Sequence, residues 1–321
     1  MKLPGLSEIE SAAQIVYGEM PPTPQYRWPM LCDRLGTEVW VKHENQTPVG
    51  AFKIRGGLNY FARLARTGNL PDGVISATRG NHGQSIAYAA GRHNVPATIV
   101  VPHGNSAEKN LAMRALGAEL IEWGDDFQAS LEFAITLSEE RSLQMIPSFD
   151  PLLVAGVATY SLELFRAIED IDVAYVPIGL GSGICGMVSA CRALKLNTEI
   201  VGVVSSHARA YSLSFAGDRS VESPVSTRLA DGMACRKPHG EALEIIRREV
   251  DRIVEVSDSE IAEAMRVLFE CTHNTCEGAG AASLAAAMQE KQRLKDRRVA
   301  VVISGGNIDR DMFAGVLSEK F

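Results

Sequence analysis

The chain has 321 residues, with 32 Lys and Arg against 39 Asp and Glu, a formal charge of −7, and 46% hydrophobic and 22% charged residues. This is ordinary globular composition for one large or two modest domains, and no basic run offers a footprint for nucleic acid. No apolar stretch of about 18 residues could span a membrane, and MKLPGLSEIESAA lacks the pattern of a secretory leader, so a cytoplasmic protein is expected. The six cysteines are scattered without a CxxC pair and are expected as reduced thiols. Cys271 and Cys276 flank His273, but no second ligand pair completes a zinc site.

From residue 74 onward, short apolar runs alternate with helical patterns. Strands are expected at 74–78, 97–101, 118–123, 173–178, 199–205, 252–257 and 298–304. Helices are expected at 81–92, 107–116 and 126–141, with others between the later strands. Such apolar strands, separated by helices, form parallel sheets covered on both faces, so the fold class is α/β. Ligands of such sheets gather at the C-terminal strand ends. Glycines cluster there: Gly80 and Gly83 after the strand at 74–78, Gly179, Gly181, Gly183 and Gly186 after that at 173–178, and Gly305 and Gly306 after that at 298–304. Each could be plain turn chemistry, but three together suggest the walls of one site.

The stretch Pro177 to Gly186 lies between a buried strand and a helix of small residues. A glycine loop at a helix start presents N–H groups to an anion, most often phosphate. Gly181 to Gly186 also matches GxGxxG, which raises the alternative of a nicotinamide-binding Rossmann protein. That alternative needs an acidic residue at the end of the next strand, which instead reads Val203-Val204-Ser205-Ser206. A single phosphate fits better. Lys53 follows a Pro/Gly turn and stands directly after Phe52, a setting that favours partial desolvation. Desolvation lowers an amine's pKa and frees it to form a Schiff base. A lysine of this kind beside a phosphate cradle suggests pyridoxal 5′-phosphate.

Six motifs in order then resemble one family over nearly the whole chain. Lys42-His43-Glu44 with Pro48-Val49-Gly50-Ala51-Phe52-Lys53-Ile54-Arg55-Gly56 resembles KxE…PxxSFKxRG, with Ala51 for the usual serine. Thr78-Arg79-Gly80-Asn81-His82-Gly83-Gln84 resembles SSGNHGQ, and Pro177 to Gly186 resembles PxGGGGLxxG. Ala230-Asp231-Gly232, Glu277 to Ser283 and Ser304-Gly305-Gly306-Asn307 resemble ADG, EPxGAAS and SGGN. The chain thus resembles the fold-type II pyridoxal-phosphate enzymes (tryptophan synthase β-like), in the threonine/serine dehydratase and serine racemase branch. The resemblance implies two domains, each a mostly parallel sheet flanked by helices. Residues 1–72 and 149–321 would form the large cofactor domain and 73–148 the small one. It implies that Lys53 carries the cofactor, Phe52 packs on its ring, Asn81 bonds its 3′-hydroxyl and Ser304 faces its ring nitrogen. Gly179, Leu180, Gly181, Ser182 and Gly183 would hold the phosphate. Thr78, Arg79, Gly80, Asn81 and His82 would bind the substrate, with backbone amides on its α-carboxylate. The implied reaction is elimination of water from a β-hydroxy α-amino acid to a 2-oxo acid and ammonia. A racemase or β-replacement enzyme is the alternative on the same fold. A homodimer or higher homo-oligomer without a C-terminal regulatory module is expected.

Three departures refine this expectation. Racemases of the family place a serine immediately before the Gly-Asn-His; Arg79 stands there and stays protonated, which disfavours racemisation. Val204 and Ala210 stand where metal-dependent relatives carry carboxylates, so no metal requirement is expected. Phe149 and Val157 replace an acidic residue and an amide, so either the pocket accepts a bulkier, aryl-bearing substrate such as phenylserine or the core is simply repacked.

Overall fold

The computed structural model describes residues 1–320. Its strands are β1 (Gln25–Arg27), β2 (Glu38–His43), β3 (Val74–Ala77), β4 (Ala97–Val101), β5 (Glu119–Glu122), β6 (Gln144–Met145), β7 (Val173–Pro177), β8 (Glu199–Ser205), β9 (Arg252–Val256) and β10 (Arg298–Ile303). They form a six-stranded sheet, order β1-β2-β10-β7-β8-β9, and a four-stranded sheet, order β5-β4-β3-β6. Every pairing is parallel except β1 with β2. Strands such as β3 and β4 are buried at every residue, as sheets covered on both faces require.

The strands read from the sequence are all present, to within a residue or so at each end. Three others, β1, β2 and β6, carry weaker signals. β1 is a three-residue edge strand and β6 has only two residues. β2 ends in Lys42 and His43, which read as polar yet are fully buried.

Those buried charges explain how one key helix is fixed. Arg55, on the helix Lys53–Arg66, reaches Glu44 just beyond β2 through Nε (2.7 Å) and Nη2 (2.9 Å). Its Nη1 reaches Glu163 Oε1 at 2.6 Å on the helix Pro151–Ala167. Lys42 Nζ adds a 2.5 Å contact to Glu163 Oε2, and Thr23 donates to Glu44 at 2.5 Å. Two cations and two carboxylates thus balance inside the core, where an unmatched charge would be prohibitive. The two helices also touch closely: a Cβ at Gly156 would lie 2.2 Å from the Arg55 carbonyl oxygen. Lys53, the first residue of its helix, is therefore held from two sides.

Candidate active site

A cavity of about 370 Å³ opens where the ends of β3, β7 and β10 converge. Its wall includes Phe52, Lys53, Thr78, Arg79, Gly80, Asn81, His82, Gly179, Leu180, Gly181, Ser182, Gly183 and Ser304. The glycine turns and the lysine, read as separate segments in the sequence, line one space.

Lys53 enters from its helix start, 4.9 Å from the centre of the Phe52 ring. Its Nζ donates to Ser182 Oγ at 2.8 Å. Burial pushes the ammonium down to about 8, so a usable fraction is neutral near physiological pH. The backbone before it is pinned: Phe52 N donates to the Ser304 carbonyl at 3.1 Å, and Ala51 bridges Gly305. His82 lies behind, buried, and burial followed by the nearby Lys53 charge pushes its pKa down to about 3. It is therefore a neutral imidazole.

The loop after β7 is shaped for an anion. Gly181 has φ +105°, a left-handed value that other residues rarely adopt, and caps the helix Ser182–Ala193. A Cβ at Gly179 would sit 2.4 Å from the Gly232 carbonyl oxygen, so the backbone can pass only without a side chain. Tyr211 donates to the Leu180 carbonyl at 3.0 Å and Tyr160 to that of Gly183 at 3.2 Å. With its carbonyls tied back, the loop leaves the first N–H groups of the helix without intrahelical partners, facing the cavity. A cradle of this form beside a depressed lysine fits a phosphorylated aldehyde cofactor.

Across the cavity, Thr78 Oγ1 accepts from Gly80 N (2.9 Å) and Gly83 N (3.3 Å), shaping a second helix start at Asn81–Gly91. Asn81 donates to Glu277 Oε1 at 2.5 Å and accepts from Asn307 at 2.9 Å. Ser304 Oγ donates to the Ala279 carbonyl at 3.4 Å. Arg79 lines the cavity with its Nε shut from solvent and without a hydrogen-bond partner.

Sequence reasoning assigned no role to Lys109, Asp231 or Glu277. Lys109 Nζ lies 2.7 Å from Asp231 Oδ2 and 2.9 Å from Glu277 Oε2. Burial alone would depress this ammonium, but the two carboxylates override it and hold it above its usual value. Burial raises the Glu277 carboxyl despite Lys109. Asp231 and Glu277 fall in recognised motifs, but nothing local to Lys109 announces a contact 122 residues away.

Phe149 and Val157 are not on the cavity wall. Both are buried in the core; the Phe149 ring packs 4.6 Å from that of His239 and lies behind Gly181. The replacements repack the core, and they give no support to an aryl-binding pocket. Val204 and Ala210 are also buried, and among the described residues no group of three or more His, Cys, Asp or Glu side chains is placed to hold a metal ion. No helix among the described residues is long and apolar enough to cross a membrane.

Residues 16–305 match the family model described as pyridoxal-phosphate dependent enzyme. The chain is 38% identical over 278 residues to an L-threonine ammonia-lyase of Geobacter sulfurreducens, covering 86% of this chain and 69% of that one. It is 32% identical to an L-threo-3-hydroxyaspartate ammonia-lyase of Saccharomyces cerevisiae, covering 100% and 98%. The solved structure of the processed form of threonine deaminase isoform 2 from Solanum lycopersicum superposes with a TM-score of 0.88 at 30% identity, covering 99% and 95%. This chain therefore belongs to the pyridoxal-phosphate-dependent enzyme family, in its threonine/serine dehydratase branch, and pyridoxal 5′-phosphate is its cofactor.

Proposed function

We propose that this chain is an ammonia-lyase that removes water from a β-hydroxy α-amino acid and releases a 2-oxo acid and ammonia. The observation that carries the reading is Lys53: depressed to about 8 by burial and set 2.8 Å from Ser182, at the edge of a glycine anion cradle. Bound pyridoxal 5′-phosphate supplies the electron sink that acidifies the substrate Cα proton. In this reading the N–H groups of Gly179 to Gly183 and the Ser182 hydroxyl hold the phosphate, and Asn81 and Phe52 orient the ring. The N–H groups of Asn81 and His82, which begin the helix after the Thr78–His82 turn, hold the α-carboxylate, which suits a helix N-terminus. Lys53 Nζ takes the Cα proton, a role that needs an amine neutral at working pH. Ser304 presents a neutral hydroxyl toward the ring nitrogen. A neutral partner there leaves a weaker sink than a carboxylate would, which suits prompt elimination over a long-lived carbanion.

The position from which a racemase would reprotonate the opposite face holds Arg79, which stays charged and offers no base. We further propose a division into residues 1–72 with 149–321 and residues 73–148, supported by the two separate sheets. A cytoplasmic homodimer or higher oligomer completes the proposal. The test is direct. Purified holoenzyme incubated with serine, threonine and 3-hydroxyaspartate should yield 2-oxo acid and ammonia in equal amounts from at least one. Lys53→Ala should lose both the borohydride-sensitive visible band and at least about 10³-fold of the rate. D-amino acid as the sole product, or full activity in Lys53→Ala, would overturn the reading.

A further inference from the structure

We infer that Arg79 selects substrates whose side chain carries a second carboxylate, so that the favoured substrate is a β-hydroxy amino dicarboxylic acid rather than serine or threonine. The inference rests on the ammonia-lyase reading and asks what the unpaired charge in its pocket is for.

Every other cation on the cavity wall has a partner. Lys53 bonds Ser182 at 2.8 Å, and Lys109 sits between Asp231 (2.7 Å) and Glu277 (2.9 Å). Arg236 lies 3.4 Å from Asp126, and Lys237 lies 3.3 Å from Glu222. Arg79 makes no hydrogen bond or ion pair among the described residues, although its Nε is excluded from solvent. Asp125 also lines the cavity, yet it forms no ion pair with Arg79. A guanidinium has five donors in a planar fork that matches a carboxylate two bonds at a time. Leaving a buried donor unmet is unfavourable, so a ligand carboxylate that meets the Nε of this partly exposed guanidinium gains from it.

Which anion this is follows from position. The phosphate has its own cradle after β7, where Ser182 accepts from Lys53 at 2.8 Å. The α-carboxylate has the free N–H groups at the start of Asn81–Gly91, two residues along the same turn. Arg79, on the same cavity wall and two residues before that helix start, is left over for a further anionic group on the substrate side chain. Serine and threonine offer only hydrogen or methyl there and leave the guanidinium unpaired. Sites built to bond a polar group reject analogues that lack it, by factors of about 10⁴ in well-formed cases. A partly exposed arginine should discriminate less, by about 10² or more.

The test compares kcat/KM for threo- and erythro-3-hydroxyaspartate, serine and threonine in the holoenzyme and in its Arg79→Gln and Arg79→Lys variants. Cofactor absorbance confirms equal loading. The wild type should prefer one 3-hydroxyaspartate isomer by about 10² or more. Arg79→Gln should lower the ratio of kcat/KM on that substrate to kcat/KM on serine or threonine by about 10², and Arg79→Lys should recover part of that ratio. Unreactive L-aspartate should perturb the cofactor absorbance at lower concentration than L-alanine, and Arg79→Gln should abolish that difference. An equal fall for all substrates would assign Arg79 to the α-carboxylate and overturn the inference, as would a wild-type preference for serine or threonine. If no substrate gives a 2-oxo acid but aspartate binding still depends on Arg79, the ammonia-lyase reading fails and the anion selectivity stands.

Discussion

Replacing Arg55 by methionine tests how the lysine-bearing helix is held. The side chains of Lys42, Glu44 and Arg55 are fully buried and that of Glu163 is 5% exposed, so the cluster of two cations and two carboxylates has almost no water to screen it. Methionine fills a similar stem volume but removes one cation, leaving two carboxylates to share Lys42. Breaking a buried pair from one side costs about 3–5 kcal/mol. At about 2.1 cal/mol/K per residue, a chain of this length has an unfolding entropy near 0.7 kcal/mol/K, so Tm should fall by about 4–7 °C. The sign of the pH dependence is a sharper test. Burial alone would raise the Glu163 carboxyl, but Arg55 and Lys42 override it and hold it below its ordinary value. In the wild type this group's stabilisation is present above the unfolded pKa and is lost as pH falls through the lower folded one. In Arg55→Met the surplus negative charge favours proton uptake instead. The deficit measured by urea unfolding should therefore shrink as pH falls from 8 toward 5. The double variant Arg55→Met/Glu163→Gln, which restores neutrality, should recover part of the loss. A pH-independent deficit below about 1 kcal/mol would refute the charge-balance reasoning.

Further outcomes are expected at the site itself. Gly179→Ala would place a Cβ 2.4 Å from a backbone oxygen that cannot rotate away, so apoenzyme titration should show pyridoxal 5′-phosphate binding weakened at least about tenfold, with far-UV circular dichroism unchanged. Unaltered affinity would remove the loop as the phosphate cradle. Because burial pushes the Lys53 ammonium down to about 8, it loses its proton more readily than a solvated lysine. Its reaction with an amine-directed label in the apoenzyme should rise with pH and level off just above 8, and a midpoint near that of surface lysines would contradict the desolvated setting. With Val204 and Ala210 in place of carboxylates, EDTA should leave turnover unchanged; activity lost to EDTA and restored by magnesium would overturn this expectation.

The residues legible in the sequence share one property: their signal is local. Gly179, Gly181 and Ser182 stand at a strand end before a helix, and Phe52 and Lys53 follow a Pro/Gly turn, so a few neighbours suffice to expose them. Arg79 was visible as a misfit within a motif, and the structure adds that its charge is unmatched. Long-range pairings were invisible for the opposite reason. Glu163 sits mid-helix among apolar residues and reads as a lone polar intrusion until Arg55, 108 positions away, is seen to bond it at 2.6 Å. β2 was missed through the same network, because buried Lys42 and His43 mimic a solvated turn. Phe149 fails differently: the substitution was visible, but whether a ring faces a cavity or a core depends on backbone placement far from it. Its packing on His239, behind Gly181, turns what could have been a specificity residue into support for the loop after β7. In the reading proposed above, substrate selection rests on the charge left unpaired at Arg79, while Phe149 packs behind the loop and stays out of the cavity.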